Sequence, residues 1–511
     1  MLVFNKNRMM KNKYIKCTIA IVAIMQIFVS CKKDFLELTP KGTALEDNFY
    51  KNETEVMQGI ISVYDVMQWG TTGGYTMKMP LLSAASDDTW AGGSNASDQP
   101  NWVAFDNFNM DSRIGPQGGL WNKNFTGINR ANLILSKIEN ATTLSVPFKT
   151  RVTAEAKFLR AYFYFDLVRL FGRVPLIITV LPTADLYNQA QSTPAQIYAQ
   201  IEKDLREAYP GLPPTISATE KGRISMGAAK AQLGKVLLYQ NDNAKLAEAI
   251  TLFEDINKVG NVYGYNLMPV YADIFNPANK FNTESILEIP HSNNAAWGDW
   301  GWINGGEGNV GTQFIGMDSY NGDTYSSGWG FCPVTLDLVN ALKTDPRFSA
   351  TIIDGTALKA GGATYNARYQ NTDYFIKKYA PLKAYRSASG VAEQNWPINE
   401  IEIRLADTYL MQAEALVKTG TNPTRAKELL DAVRGRVGLG SIAVTLDNIY
   451  NERRLELATE GHRFFDLVRT GKAVTVLGTV GFKANKSEYL PIPQTEIDIT
   501  KGIIKQNPGY N

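Results

Sequence analysis

Residues 151–170 read RVTAEAKFLRAYFYFDLVRL. Val152, Ala156, Leu159, Phe163, Leu167 and Leu170 recur at helical spacing and form one apolar stripe. Phe158, Tyr162 and Phe165 form a second. A helix that is apolar on two faces packs between neighbours, as the inner helices of a solenoid do. Gly172 and Pro175 close it. The spacing therefore predicts a mainly α fold built from stacked helices.

Outward from this helix the pattern repeats. Asn52 followed by Glu55 is a capping-box-like start, with Val56, Met57, Ile60, Tyr64 and Met67 on one face and Gly70 at the end. A loop rich in Gly, Ser and Asp follows over 70–99 and contains Asp87-Asp88-Thr89-Trp90. A helix from Trp121 stacks Phe125, Ile128, Asn132 and Leu135. Further on, Thr193-Pro194 opens a helix carrying Ile197, Ile201, Leu205 and Ala208. Ser225 caps a helix to Tyr239, and Asn243 caps the next, to Lys258. That pair, and 400–420 with 422–437, are helix–loop–helix units with alanines at the packing positions, like tetratricopeptide hairpins.

Two charged patterns belong to this scaffold. Phe165-Asp166-Leu167-Val168-Arg169 recurs as Phe465-Asp466-Leu467-Val468-Arg469, each copy followed by a glycine. Asp and Arg at i, i+3 in a last helical turn read as a helix-end ion pair, not a catalytic pair. Glu452, Arg453, Arg454, Glu456, Glu460 and Arg463 alternate in sign and predict an ion-pair network between stacked helices.

The middle of the chain is different. After a strand-like run at 285–289, residues 291–331 hold four of the nine tryptophans and ten of the 42 glycines, with no lysine or arginine. Such a stretch does not sustain a long helix. Pro333 is expected to start a short helix to Lys343, and 374–379 to form a strand within the polar segment 354–397.

The totals exclude several classes. A charge of +2 becomes about −3 once residues 1–30, which carry five basic residues and no acid, are set aside, so nothing points to nucleic acid. Cys17, Cys31 and Cys332 make neither a disulfide framework nor a zinc site. His291 and His462 alone leave little for a histidine metal site or a Ser-His-Asp triad. No cofactor is expected. The N-terminus has a basic segment, an apolar run over 17–29, and Ser30-Cys31, too short to span a bilayer and laid out like a secretory signal. Met10 is an equally good start. Ser30 before Cys31 resembles a bacterial lipobox, with Phe28 departing from its usual leucine, so cleavage before Cys31 and acylation of that cysteine are expected. Several acyl chains anchor stably, at about 0.8 kcal/mol per buried methylene.

Several motifs in order resemble the SusD/RagB family of outer-membrane nutrient-binding lipoproteins from the Bacteroidetes. They are Cys31-Lys32-Lys33-Asp34-Phe35-Leu36, AEAKFLRAYFYFDLVRLFGRVPL at 154–176, Arg404-Leu405-Ala406-Asp407 with Ala413-Glu414-Ala415, Asn451-Glu452-Arg453-Arg454 with Glu460-Gly461-His462-Arg463, and the closing LPIP and QNPGY. The resemblance implies a tetratricopeptide-like helical scaffold (about 50–260 and 400–470) with a loop-rich ligand-binding subdomain (about 261–399), all within one SusD-like domain, 31–511, behind a 1–30 signal peptide. It also implies a lipid-anchored lid on a SusC-like TonB-dependent outer-membrane transporter, facing the cell exterior, that binds glycans or in some members peptides and does no chemistry. The family's ligand residues vary, so none is carried over.

The residues themselves supply the ligand candidates. Exposed indoles stack on the C–H faces of a sugar, and Asn and Asp pair with its hydroxyls. Trp297, Trp300, Trp302 and Tyr320, with Asn294 and Asp299, are the expected contacts, and Trp90 a second site. Trp329-Gly330-Phe331 leads back into the scaffold and is expected to be structural. The predicted function is capture of an oligosaccharide and its delivery to the transporter. The alternatives are a peptide-binding member of the same family, or a helical-toroid glycoside hydrolase using Asp87-Asp88 and Asp299 as its carboxylates.

Overall fold

The computed structural model describes residues 49–139 and 141–510. The signal segment and Cys31 lie outside the described residues. Helix α1 (Glu53–Gln68) starts at the expected cap, where Asn52 Oδ1 accepts the Glu55 N–H at 3.0 Å. Helix α2 (Gln117–Glu139) begins about a turn before Trp121. Helix α3 (Val146–Phe171) contains the decisive stretch, and every residue of its two stripes is buried. It packs between α2 and helix α4 (Pro194–Ala208), whose Thr193 and Gln196 form a full capping box. Charged residues buried in α3 are paired: Arg160 with Asp204 at 2.6 Å, Glu155 with Arg223 at 2.8 Å.

Helices α5 (Met226–Tyr239) and α6 (Asn243–Asn257) form the first predicted hairpin. Ser225 caps α5, whereas Asp242, not Asn243, caps α6 by accepting the Ala244 N–H at 2.9 Å. The second hairpin is α7 (Leu405–Thr419) and α8 (Pro423–Arg436), with Asn422 as cap. Residues 400–404 do not begin α7 as expected. They form a strand that pairs antiparallel with Ser285–Ile289. Glu-Ile-Glu-Ile-Arg alternates with period two, and Ile401 and Ile403 turn inward, which suits a strand. The scaffold closes with α9 (Leu446–Glu456) and α10 (Arg463–Arg469).

Helix α7 packs directly on α6, although residues 258–404 lie between them. A buried polar clasp joins the two: Thr408 Oγ1 donates to Asn257 Oδ1 at 2.7 Å, and Asn257 Nδ2 donates to Gln412 Oε1 at 2.8 Å. The middle of the chain is thus inserted between two successive helices. Among the described residues of 258–399 no α-helix exceeds seven residues. The short helix expected from Pro333 is Leu336–Leu342, because Val334 instead bridges Thr89 and Thr335 takes the cap. The expected 374–379 strand is Tyr374–Ile376, paired with Ile352–Asp354.

The alternating charges form a buried network. Arg404, 1% exposed, meets Glu284 at 2.8 Å, Glu456 at 2.5 Å and Glu460 at 2.8 Å. Arg347 meets Asp345, Glu452 and Glu456, and Lys378 meets Glu460 at 2.7 Å. Arg453 bridges Asp407 and Asp466. The two pentapeptide copies meet each other. Each Asp pairs with the Arg three residues on, and the Arg169 guanidinium lies 4.0 Å from both the Phe165 and Phe465 ring centres. His462 is buried within this region, 3.4 Å from Lys235 Nζ, and burial lowers its pKa to about 4.

Candidate functional site

Residues 292–307 form a surface loop with joined ends, since Ser292 N–H donates to Glu307 O at 2.8 Å. His291 sits at its base, buried, with its N–H on Asn399 Oδ1 at 2.8 Å. Burial lowers the imidazole to about 3, so it is neutral at physiological pH. Beneath the loop is a polar cavity of about 20 Å³, lined by Lys78, Lys123, His291, Asn304 and Glu400. That is room for a single water. Burial lowers Lys123 to about 8 and raises Glu400 to about 7.

The loop is fastened at its middle. Trp297 N–H donates to Asn395 Oδ1 at 2.9 Å, and Trp297 O accepts from Val391 N–H at 2.9 Å and Asn395 Nδ2 at 2.7 Å. Gly390 makes this approach possible: its φ is +68°, and a Cβ there would lie 2.3 Å from Ala296 O. Asp299 shapes the tip. Its carbonyl accepts the Trp297 indole N–H at 3.1 Å, and its Oδ1 accepts the Gly301 N–H at 2.7 Å. Asn304 ties the returning strand of the loop to Thr71 and Thr72.

This framework presents aromatic rings. Trp300 is 47% exposed and Trp302 52%, while Trp297 is half-buried against Gly305 and Gly306. Trp302 stands edge-on to Trp69, ring centres 5.9 Å apart. Trp300 lies 6.1 Å from Trp329, which in turn meets Tyr75 at 5.6 Å. The result is an aromatic strip drawn from three parts of the chain, in which Trp69, only 6% exposed, backs Trp302 from within. The Arg130 guanidinium lies 4.9 Å over Trp69, but Asp65 pairs with it at 3.0 Å, so the strip gains no free cation there. An array of rings on a loop without lysine or arginine, with Asn294 and Asp299 beside them, suits a hydroxyl-rich, non-anionic ligand.

The other candidates divide. Asn294 is exposed on the same loop, its N–H on Ser292 Oγ at 3.0 Å. Tyr320 is not presented with the tryptophans. Only 8% exposed, it packs in an apolar cluster with Met317, Tyr325, Tyr365 and Phe375. Trp90 is half-buried, its N–H bonded to Pro333 O at 3.0 Å, and makes no ring contact with the strip among the described residues. Phe331 is structural, stacked on Phe314 at 3.9 Å. Asp87 is held by Arg463 at 2.7 Å and Arg454 at 2.9 Å, and Asp88 by Arg454 at 3.2 Å. These two carboxylates are occupied by scaffold ion pairs, whereas Asp299 lies exposed on the tryptophan loop.

The sequence matches two family descriptions, "Starch-binding associating with outer membrane" over residues 34–238 and "SusD family" over 283–510. It is 45% identical to a solved laminarin-binding SusD-like protein, with a TM-score of 0.85 over 90% of this chain and 100% of that one. The chain belongs to the SusD family. A second solved neighbour is the surface glycan-binding protein A of Bacteroides thetaiotaomicron, determined in complex with laminarihexaose. It is 29% identical, with a TM-score of 0.83 over 89% of this chain and 99% of that one. The SusD-like protein P25 of Formosa agariphila is 24% identical over 96% of this chain and 99% of its own length.

In this SusD-family chain the motifs that reveal the scaffold pass over three rings of the strip. Trp69, Tyr75 and the half-exposed Trp329 were not expected at the site. A signal existed: Trp69-Gly70-Thr71-Thr72-Gly73-Gly74-Tyr75 has the same mixture of Gly and aromatic residues as 291–331.

Proposed function

We propose that this chain is a cell-surface lipoprotein that captures an oligosaccharide of the laminarin type and delivers it to a SusC-like TonB-dependent transporter, without cleaving it. The observation that carries the reading is the aromatic strip, with Trp300 and Trp302 about half exposed on a loop fixed at its base and middle. Trp297, Trp300 and Trp302 are its contacts, assisted by Tyr75 and Trp329 and backed by the buried Trp69, with Asn294 and Asp299 for hydroxyls. The choice of glycan is supported by the two neighbours whose names specify laminarin and laminarihexaose. Anchoring through Cys31 is supported by the signal-like residues before it and by the outer-membrane description of the matching family. No helix among the described residues is long and apolar enough to cross a membrane.

The test is retention of laminarin by cells displaying the protein. The triple variant Trp297→Ala, Trp300→Ala, Trp302→Ala is expected to lose retention while melting at the wild-type temperature. Cys31→Ser is expected to release a binding-competent protein from the membrane fraction. Unchanged retention by the triple variant would refute the site, and release of shorter sugars by the pure protein would refute binding without chemistry.

A further inference from the structure

Helix α1 carries a second row of residues beside its buried face. Ile61, Tyr64, Asp65 and Gln68 fall at i, i+3, i+4 and i+7 and share one side of the helix. They line a groove of about 230 Å³ whose opposite wall includes Lys221, Pro290 and Glu307. Ile61 stands 55% exposed at the rim. The Tyr64 ring is held in place because its hydroxyl accepts the Ile224 N–H at 3.1 Å. Gln68 donates its amide to Pro290 O, while its Oε1 accepts no hydrogen bond among the described residues. Lys221 is exposed and forms no salt bridge among them.

The groove shares wall residues with the supports of the aromatic strip. Asp65, on its wall, accepts the Trp69 indole N–H at 3.1 Å, and Trp69 is the ring that meets Trp302. Glu307, on the other wall, is the residue whose carbonyl closes the tryptophan loop on Ser292. The row from Ile61 to Gln68 rises ~10 Å along the helix towards Trp69.

We infer that this groove extends the oligosaccharide site, taking a further sugar unit of a chain already seated on the tryptophans, so that affinity rises with chain length. This rests on the function proposed above. Ile61, Tyr64 and Pro290 offer apolar surface to the C–H face of a sugar ring. Asp65, Gln68, Lys221 and Glu307 mix donors and acceptors around it, as a ring of hydroxyls requires. The volume lies below the range of about 300–1,000 Å³ typical of drug-sized ligands and suits a single saccharide unit.

The experiment is calorimetric titration of the full chain with laminaribiose through laminarihexaose. Wild type is expected to gain affinity with length. The double variant Ile61→Asp, Lys221→Ala is expected to lose that gain, binding laminarihexaose about tenfold more weakly than wild type does, a difference of about 1.4 kcal/mol. Thermal melts check that it folds. A length-dependent gain that persists in the double variant overturns the inference, as does a wild-type affinity that ignores length or a loss equal at every length. Trp300→Ala with Trp302→Ala is the control for the underlying reading. If that variant still binds the short sugars, the strip assignment fails, whatever the groove does.

Discussion

Asp106 is a carboxylate buried among neutral partners. It is 2% exposed, and its Oδ2 accepts from Ala91 N–H at 3.0 Å and Gln370 Nε2 at 3.1 Å, with no cation paired to it among the described residues. Burial raises its pKa from 3.8 to about 6. Between those values the folded chain holds a proton that the unfolded chain has released. Stability from this group is therefore greatest at low pH and is lost as pH rises through about 6. Asp106→Asn should be more stable than wild type near pH 8, by up to about 3 kcal/mol, with the advantage closing by about pH 4. Urea melts at both values check this, and an equal difference at both would contradict it. The same scale shows what sequence cannot say about rings. Trp300, Trp302 and Tyr320 come from one Gly-rich stretch, yet the first two face water and the third fills a cluster. Composition marks such a stretch as unusual. It does not say which ring turns inward, because that depends on Tyr365 and Phe375 arriving from elsewhere in the chain.

Elements were legible where their signals are local. The caps at Asn52, Thr193, Ser225 and Asn422 are each a few residues from the groups they satisfy, and each forms. Residues 400–404 misled because a strand is decided by its partner, and Ser285–Ile289 lies far earlier in the chain. Helix pairing gives a prediction at this scale. Gly127 of α2 faces Phe163 of α3, and a Cβ there would lie 2.2 Å from a ring that is fully buried. Alanine gains about 1 kcal/mol of helix propensity, but overpacking costs about 1–3 kcal/mol and the ring has no room to retreat. Gly127→Ala should lower stability by up to about 2 kcal/mol. Gly435 of α8 has nothing within 4 Å of the same position, so Gly435→Ala should raise stability by a few tenths to about 1 kcal/mol. Denaturant midpoints of the two variants, on opposite sides of wild type, check both statements.

Across the whole molecule, the buried charges hold the inserted segment to the scaffold. Arg404 gathers Glu284 from before the tryptophan loop with Glu456 and Glu460 from the scaffold end. Replacing both sides of such a network with apolar groups can be nearly neutral, but removing one side strands charge in the interior. Arg404→Met should lower stability by about 3–5 kcal/mol. Glycan affinity per folded molecule should stay at the wild-type level, measured below the melting transition. A loss of affinity in the folded fraction would mean that the network also shapes the strip. The fastening of the tryptophan loop has a practical corollary for anyone who wishes to retarget the proposed glycan site. Trp297 is held by Val391 and Asn395, Ala296 needs a glycine at 390, and Asn304 is tied to Thr71 and Thr72 beside Trp69. Grafting 292–307 alone onto a cousin would leave these anchors behind. A graft that keeps the proposed strip carries four separate pieces across together: 69–75, 292–307, the turn that holds Trp329, and 390–395.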